Sequence, residues 1–130
     1  MINNRVLIID DDEEMCEELQ EILEDEGYEV CVALNGRKGY EFIKSERYVV
    51  VILDLKLPEL NGYEVLKMAK SHDQALKIIV LSGRPSGEKA LHQKTNAELE
   101  EDKILQLADF VMNKPVLVPE LINKVKEFIQ

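Results

Sequence analysis

Short runs of apolar residues alternate with segments of helical periodicity along the whole chain. Within the runs the apolar residues are consecutive, which is typical of strands buried on both faces of a parallel sheet. Five strands are predicted, over residues 6–9, 30–34, 49–53, 78–81 and 110–112. Strands that alternate with helices in this way indicate a doubly wound α/β fold with right-handed crossovers.

The segments between these runs carry apolar residues at helical spacing. In the first segment they recur at i, i+4, i+7 and i+8 from Met15, and Gly27 is placed to end the helix. Further helices are predicted over residues 39–45, after the Asn61-Gly62 turn signal, and from Pro119 onward.

The stretch 83–109 is irregular. It contains a proline and many polar residues, and helical periodicity returns only at Ile104, Leu107 and Ala108. We expect a loop in this stretch, followed by one long helix or two short ones.

Length and composition describe a globular protein. A chain of 130 residues can bury a full core as one domain, and 45% of its residues are apolar and 32% charged. The longest uncharged apolar run is far too short to span a membrane, and no secretory signal is found. Cys16 and Cys31 lie within apolar patterns and are interpreted as buried, reduced thiols of a cytoplasmic protein, although a bridge between them stays open.

The net charge of −10 narrows the range of partners. Binding to a nucleic acid backbone or to an anionic membrane surface requires clustered Lys and Arg. Between Asp10 and Glu29 the chain has twelve acidic residues and no basic one. We therefore expect no direct nucleic acid partner and no membrane insertion.

Polar residues follow four of the five predicted strands. They are Asp10, Asp11 and Asp12 after the first, Asp54 after the third, Ser82 after the fourth, and Asn113-Lys114-Pro115 after the fifth. The carboxyl ends of parallel strands meet at one edge of the sheet, where ligands bind. Each residue alone has an ordinary explanation as a helix N-cap, a turn residue or a surface lysine. These separate explanations do not account for the presence of such residues at four strand ends.

Carboxylates brought together at this edge predict a specific chemistry. If Asp10, Asp11 and Asp54 lie close together, some of their pKa values must rise unless a cation is bound. Mg²⁺ suits such a site because it prefers hard oxygen ligands, including one or two carboxylates and a phosphate. A carboxylate beside Mg²⁺, a lysine and a hydroxyl can attack phosphorus and become an aspartyl phosphate. The pattern therefore indicates phosphoryl transfer to a carboxylate.

The chain resembles the receiver domains of two-component response regulators from about Arg5 to Ile129. The resemblance lies in four motifs: residues 6–12 (VLIIDDD), residues 51–58 (VILDLKLP) with Asn61-Gly62, residues 79–83 (IVLSG), and Lys114-Pro115. It implies a flavodoxin-like, five-stranded parallel sheet in the order 2-1-3-4-5 with helices on both faces. Residues 1–130 would form a single receiver domain with an unusually long 83–109 segment between strands four and five.

The resemblance also implies roles for the residues at the strand ends. Asp54 would accept the phosphoryl group, and Ser82 and Lys114 would contact it. The implied Mg²⁺ ligands are Asp10, Asp11, Asp54 and the backbone carbonyl of Lys56, with Asp11 the more direct of the acidic pair. The bond before Pro115 is often cis in such domains.

Three features depart from the family pattern. Val111 occupies the position, three residues before the lysine, where the family usually has an aromatic residue, and Phe110 would point to the opposite face of the sheet. The 83–109 segment is roughly ten residues longer than usual, either as a tolerated insertion or as a partner surface. Lys56 and Arg84 occupy positions that flank the phosphoryl group in the family, where they would be either solvated side chains or groups that alter its lifetime.

The resemblance implies protein partners. A histidine kinase or a histidine phosphotransfer protein would donate the phosphoryl group and dock beside the first helix, and a downstream protein target is expected but unknown. The acidic residues of that helix are most simply a solvated face. Alternatively, they select a partner with a basic docking surface.

The favoured function is a phosphorylation switch, in which charge at Asp54 shifts a conformational equilibrium. Such a protein is not an enzyme in the turnover sense, although it assists its own phosphorylation and dephosphorylation. One alternative is a pseudo-receiver that binds partners without phosphorylation. Another is a Mg²⁺-dependent phosphohydrolase with an aspartyl intermediate, which would need a second acid where this chain has Lys56.

Overall fold

A computed structural model describes residues 3–83 and 94–129. The strands are β1 (Arg5–Ile9), β2 (Glu29–Ala33), β3 (Val50–Asp54), β4 (Lys77–Ser82) and β5 (Phe110–Asn113). The helices are α1 (Glu13–Asp25), α2 (Gly36–Ser45), α3 (Gly62–His72), α4 (Asn96–Leu105) and α5 (Val118–Ile129). Every predicted strand is present, with ends that differ from the prediction by one residue at most.

The five strands form one parallel sheet in the order β2-β1-β3-β4-β5, as predicted. β1 lies between β2 and β3, so the ends of β1 and β3 are neighbours in space. β3 pairs with β4 as far as Asp54 opposite Leu81, and β4 pairs with β5 as far as Ser82 opposite Asn113. The pairing therefore carries two predicted site residues to the same edge of the sheet.

Two apolar layers cover the faces of the sheet. One layer contains α2, α3 and α4, and its buried residues include Ile43, Leu66 and Ile104. The other contains α1 and α5, with Leu19 and Leu121 fully buried against the strands. Because both faces are covered, the middle strands are apolar except at their ends.

Polar side chains begin four of the helices. Asp12, Asn35, Asn61 and Thr95 each accept a hydrogen bond from a backbone amide of the first turn. The cap at Asn35 starts α2 at Gly36, three residues before the predicted start. At the far end of α1, Gly27 has φ 96°, which confirms that this glycine ends the helix.

The prediction for residues 83–109 was partly wrong. Within the described part of that stretch there is one helix of ten residues, α4, and it starts at Asn96 behind a Thr95–Glu98 capping box. Leu107 and Ala108, which suggested helical periodicity, lie after its end, and Leu107 is exposed. Residues 84–93 of the stretch, including Arg84, lie outside the described residues.

The cysteines differ in burial. Cys16 is buried in α1, as predicted, whereas Cys31 on the edge strand β2 is only partly buried. No disulfide joins the cysteines of the described chain.

Candidate functional site

Four strands deliver the polar residues of the site to one edge of the sheet. Asp10 follows β1, Asp54 is the last residue of β3, and Ser82 is the last residue of β4. Lys114 follows β5. Although these residues are distant in sequence, the parallel order of the strands brings all four to the same edge, as the sequence predicted.

Three carboxylates converge at this edge. One oxygen each from Asp10, Asp11 and Asp54 lies within 4.8 Å of the other two. Asp10 and Asp54 are almost fully buried, at 1% and 3% exposure, whereas Asp11 is exposed. Carboxylates held this close and partly withdrawn from water repel each other unless a cation compensates their charge.

Asp10 shows this strain most clearly. Its Oδ1 accepts a hydrogen bond from the backbone N–H of Asp12 at 3.0 Å. Its Oδ2 is buried and has no hydrogen-bond partner among the described residues. Burial, together with the charges of Asp54 and Asp11, raises the pKa of Asp10 to about 6, despite the Asp12 hydrogen bond and the Lys114 charge. Burial contributes more to this raised pKa than the neighbouring carboxylates, whose proximity was the basis of the prediction.

Lys114 supplies a positive charge to the cluster. Its Nζ lies 3.1 Å from Oδ1 of Asp54, and its backbone N–H donates to the carbonyl of Ser82 at 2.8 Å. Burial lowers the pKa of Lys114, but the hydrogen bond to Asp54 and the charges of the acidic cluster outweigh burial and raise it. The bond between Lys114 and Pro115 is cis, as the resemblance implied.

Ser82 and Lys56 lie at the border of the cluster. Ser82 is 3% exposed and lines the cavity into which the site opens. The backbone N–H of Lys56 donates to Oδ1 of Asp54 at 3.4 Å, while the side chain of Lys56 is exposed at the rim. Asp54, the central member of the site, is therefore contacted by Lys114, which follows β5, and by the backbone of its own loop at Lys56.

Two glycines allow the loop after β3 to lie close to neighbouring backbone. A Cβ on Gly62 would lie 2.4 Å from the carbonyl oxygen of Asp54, and one on Gly36 would lie 1.8 Å from that of Leu60. The N–H of Gly62 donates to the carbonyl of Leu55 at 3.0 Å and closes the loop. Gly62, which the sequence pattern marked as a turn residue, thus holds the start of α3 against the site.

A cavity of about 720 Å³ extends from the carboxylates toward α4. It is lined by Asp11, Leu55, Lys56, Leu57, Pro58, Asn61, Tyr63, Ser82, Gly83 and Glu101. Sequence reasoning did not single out Tyr63 or Glu101. The position of Glu101 depends on where α4 begins, and the sequence signal for that was the Thr95–Glu98 capping box.

Val111 lies in β5, three residues before Lys114. Val111 is 37% exposed, while Phe110 and Met112 pack into the layer of α1 and α5 on the opposite face. Nζ of Lys124 lies 4.3 Å from the centre of the Phe110 ring. Phe110 is therefore held in the core by α5 and does not substitute for an aromatic residue at position 111.

The N-terminus of α1 borders the site, and the exposed face of this helix is acidic. Cys16, Leu19 and Leu23 form the buried face of this helix, and Glu17, Glu18, Glu21, Glu24 and Asp25 are exposed. Asp12 at its N-cap accepts a hydrogen bond from Met15 N–H at 3.1 Å. Both interpretations of these acids, a solvated face and a docking surface, fit this exposure.

The model of one protein family, the response regulator receiver domain, matches residues 6–126. The chain belongs to this family. Receiver domains are the regulatory phosphoacceptor domains of two-component systems.

Known proteins similar to this receiver domain support the assignment. Sporulation initiation phosphotransferase F of Bacillus subtilis is 30% identical over 129 residues, which cover 99% of this chain and 96% of that protein. The alkaline phosphatase synthesis transcriptional regulatory protein PhoP of Bacillus subtilis is also 30% identical, over 132 residues. In that match, this chain spans only 50% of the relative's length.

Solved structures agree in fold. A CheY-like receiver domain from Methanospirillum hungatei has a TM-score of 0.82 and 32% identity, over 99% of this chain and 94% of that one. The response regulator TrrA from Thermotoga maritima, in complex with Mg²⁺ and BeF, has a TM-score of 0.78 and 30% identity, over 96% of this chain and 98% of its own. No helix among residues 3–83 and 94–129 is long and apolar enough to cross a membrane.

Proposed function

We propose that this receiver domain is a signalling switch that accepts a phosphoryl group on Asp54. The observation that carries the proposal is the placement of Asp54. Its carboxylate is nearly buried, lies within 4.8 Å of oxygens from Asp10 and Asp11, and has Nζ of Lys114 at 3.1 Å. A carboxylate between an acidic pair and an ammonium group can hold a dianionic phosphoryl group once a divalent cation balances the acids.

The donor set fits Mg²⁺. The cluster offers hard carboxylate oxygens, and the buried Oδ2 of Asp10 lacks a hydrogen-bond partner among the described residues, as a metal ligand or a ligand to metal-bound water would. Asp10, Asp11, Asp54 and the backbone carbonyl of Lys56 are the proposed ligands. When bound, the ion would neutralise charge on the phosphoryl oxygens.

In the proposed transfer, an Asp54 oxygen forms the bond to phosphorus. The bond between phosphorus and the donor nitrogen breaks, and its electron pair leaves with the donor imidazole. Lys114 would hold one phosphoryl oxygen through its ammonium group, and the Ser82 hydroxyl would donate a hydrogen bond to another. The catalytic contribution of the chain is thus positioning and charge balance.

The proposed donor is a histidine kinase or a histidine phosphotransfer protein that docks beside α1. The exposed acids of this helix favour a donor with a basic surface. If so, rising salt should slow transfer from the protein donor but not labelling by a small donor. Phosphorylation would then change contacts with a downstream protein target, through a shift between conformations that exist beforehand.

The test is the intact mass of the chain after incubation with acetyl phosphate, with Mg²⁺ or with a chelator. We expect one added phosphoryl group that requires Mg²⁺ and is absent in Asp54→Ala. Glu46→Ala is a suitable control, because it removes an exposed carboxylate at the opposite end of the sheet. Labelling that persists in Asp54→Ala would contradict the proposal.

Two alternatives make different predictions in this experiment. A pseudo-receiver would remain unlabelled by both acetyl phosphate and a phosphorylated histidine donor. A phosphohydrolase would release phosphate over many turnovers. Lys56 argues against this alternative, because it stands where such enzymes need a second acid.

A further inference from the structure

The cavity beside Asp54 contains an acidic residue that no role in the proposed switch explains. Glu101 lies in the middle of α4 and, like Asp11, Lys56 and Ser82, lines the cavity of about 720 Å³. Its side chain is partly buried. Among the described residues, no hydrogen bond or ion pair compensates its charge. A negative charge of this kind acts on whatever group enters the cavity.

The cavity beside the site is where we expect the donor's leaving group to lie. In-line displacement requires the leaving atom to lie opposite the attacking Asp54 oxygen. Asp54 is 3% exposed at the end of β3, so a donor must approach from the open side of the site. Asp11, whose carboxylate lies within 4.8 Å of that of Asp54, and Ser82 line the cavity at the site, and Glu101 lines it from α4. We therefore expect a leaving group that enters this cavity to experience the charge of Glu101.

Donors differ in the charge of that leaving group. When an acyl phosphate reacts, the P–O bond breaks and its electron pair leaves with the carboxylate, so negative charge develops on the leaving oxygen. When a protonated phosphoramidate or phosphoimidazole reacts, the P–N bond breaks and the pair neutralises a cationic nitrogen, which departs as neutral ammonia or imidazole. In the transition state the first leaving group is partly negative and the second is still partly positive.

We propose that Glu101 is a specificity-determining residue that favours nitrogen-linked phosphoryl donors over acyl phosphates. The inference rests on the proposed function, because it concerns the donor of the same transfer. Its carboxylate would repel the developing carboxylate of an acyl phosphate and attract the cationic nitrogen of the other class. Lys56 belongs to the loop that holds Asp54 and would act on the phosphoryl oxygens instead, which both donor classes share.

The test compares the labelling rate constants of the full chain with acetyl phosphate and with phosphoramidate at equal Mg²⁺. Glu101→Gln should raise the ratio of the acetyl phosphate rate to the phosphoramidate rate by about threefold or more, and Glu101→Lys should raise it further. Glu100→Gln is the matched control: it makes the same charge change on the same helix at an exposed position outside the cavity lining. Its ratio should stay at the parent value.

The outcomes separate this inference from the proposed function. A ratio that is unchanged in both Glu101 variants, or that changes equally in Glu100→Gln, would overturn the role of Glu101 while leaving phosphorylation of Asp54 intact. A parent chain that is labelled by neither donor would contradict the proposed function and the donor preference together. Equal changes in both rates, with the ratio constant, would mark Glu101 as a structural residue and overturn its role in specificity.

Discussion

Nζ of Lys114 lies 3.1 Å from Oδ1 of Asp54, although β4 separates their strands in the sheet. The lysine spans this distance because it directly follows β5 and its backbone N–H is anchored to the carbonyl of Ser82. The lysine side chain is 35% exposed and the aspartate side chain is 4% exposed, so the lysine remains open to solvent while the aspartate is shielded. This geometry leaves an ammonium group where phosphoryl oxygens would arrive.

Lys114→Met should reduce the rate of labelling by acetyl phosphate about tenfold or more, because the transferring group loses a positive charge at close range. Lys126→Met provides the control, since it removes a lysine that pairs with Glu26 at 3.1 Å on the surface. Intact mass against time measures both rates. A Lys114 variant that is labelled as fast as the Lys126 variant would contradict the role of Lys114.

The raised pKa of Asp10 predicts how stability depends on pH without Mg²⁺. In the unfolded chain this carboxyl group has a pKa of 3.8 and in the folded chain about 6, so its ionisation favours the unfolded state. The resulting cost is absent below the unfolded pKa, grows as pH rises through the interval between the two, and is fully present above the folded pKa. It amounts to roughly 3 kcal/mol at most.

Asp10→Asn removes this cost while keeping an oxygen that can accept from Asp12 N–H. In the presence of a chelator, we expect the variant to be more stable than the parent by roughly 1–3 kcal/mol near pH 8. Near pH 3.5 the two unfolding free energies should be nearly equal. Urea unfolding at both pH values measures the difference. A difference in unfolding free energy between variant and parent that does not depend on pH would contradict the raised pKa of Asp10. Added Mg²⁺ should stabilise the parent more than the variant.

Gly62→Ala should destabilise the fold because the new Cβ would lie 2.4 Å from both the Asp54 carbonyl oxygen and the Leu55 Cα. Backbone atoms cannot rotate away as a side chain can, so we expect a loss of about 2 kcal/mol or more. Gly83→Ala is the control, as no heavy atom of the described residues beyond its chain neighbours lies within 4 Å of the position its Cβ would take. Equal unfolding free energies for the two variants would show that the loop adjusts freely.

A polar network closes the opposite end of the sheet. Nζ of Lys70 lies 2.8 Å from Oδ2 of Asp109 and donates to the carbonyl of Leu76 at 2.7 Å. The same Asp109 oxygen accepts from the N–H of Ile78 at 2.8 Å. The network thus connects the end of α3 to the starts of β4 and β5.

Lys70→Met should cost about 2 kcal/mol of unfolding free energy, because it leaves the carboxylate of Asp109 with less compensation in a partly buried position. Lys67→Met, on an exposed position of the same helix, should change stability by less than about 0.5 kcal/mol. A double-mutant cycle with Asp109→Asn measures the coupling. A coupling energy near zero would mean that the ion pair contributes nothing beyond its separate hydrogen bonds.

The sheet was predictable because its strands are short, apolar and bounded by polar residues. The predicted strands stopped at the last apolar residue, whereas pairing continues to Asp54 and Ser82, because backbone hydrogen bonds do not depend on side-chain polarity. This extension places both residues inside the sheet edge and buries them. Their assembly with Asp10 and Lys114 followed from strand order, which the family resemblance implied.

The position of α4 was harder to predict. The apolar spacing of Ile104, Leu107 and Ala108 suggested a helix that includes all three, but α4 ends at Leu105 and only Ile104 of these residues is buried. The capping box at Thr95 and Glu98 is a better local signal than a short apolar repeat, because it satisfies the first amides of the helix. Glu101 lines the cavity only because of how α4 packs against the rest of the fold, and local sequence does not determine that packing.

The most direct test of phosphoryl transfer to Asp54 identifies which residue carries the phosphoryl group. The chain is labelled with acetyl phosphate and Mg²⁺, and the acyl phosphate is reduced with borohydride, which converts a phosphorylated aspartate to homoserine. Peptide fragmentation then locates the product. We predict homoserine at position 54 alone, dependent on Mg²⁺. Homoserine at position 10, 11 or 12, or phosphate retained on Ser82, would contradict the account.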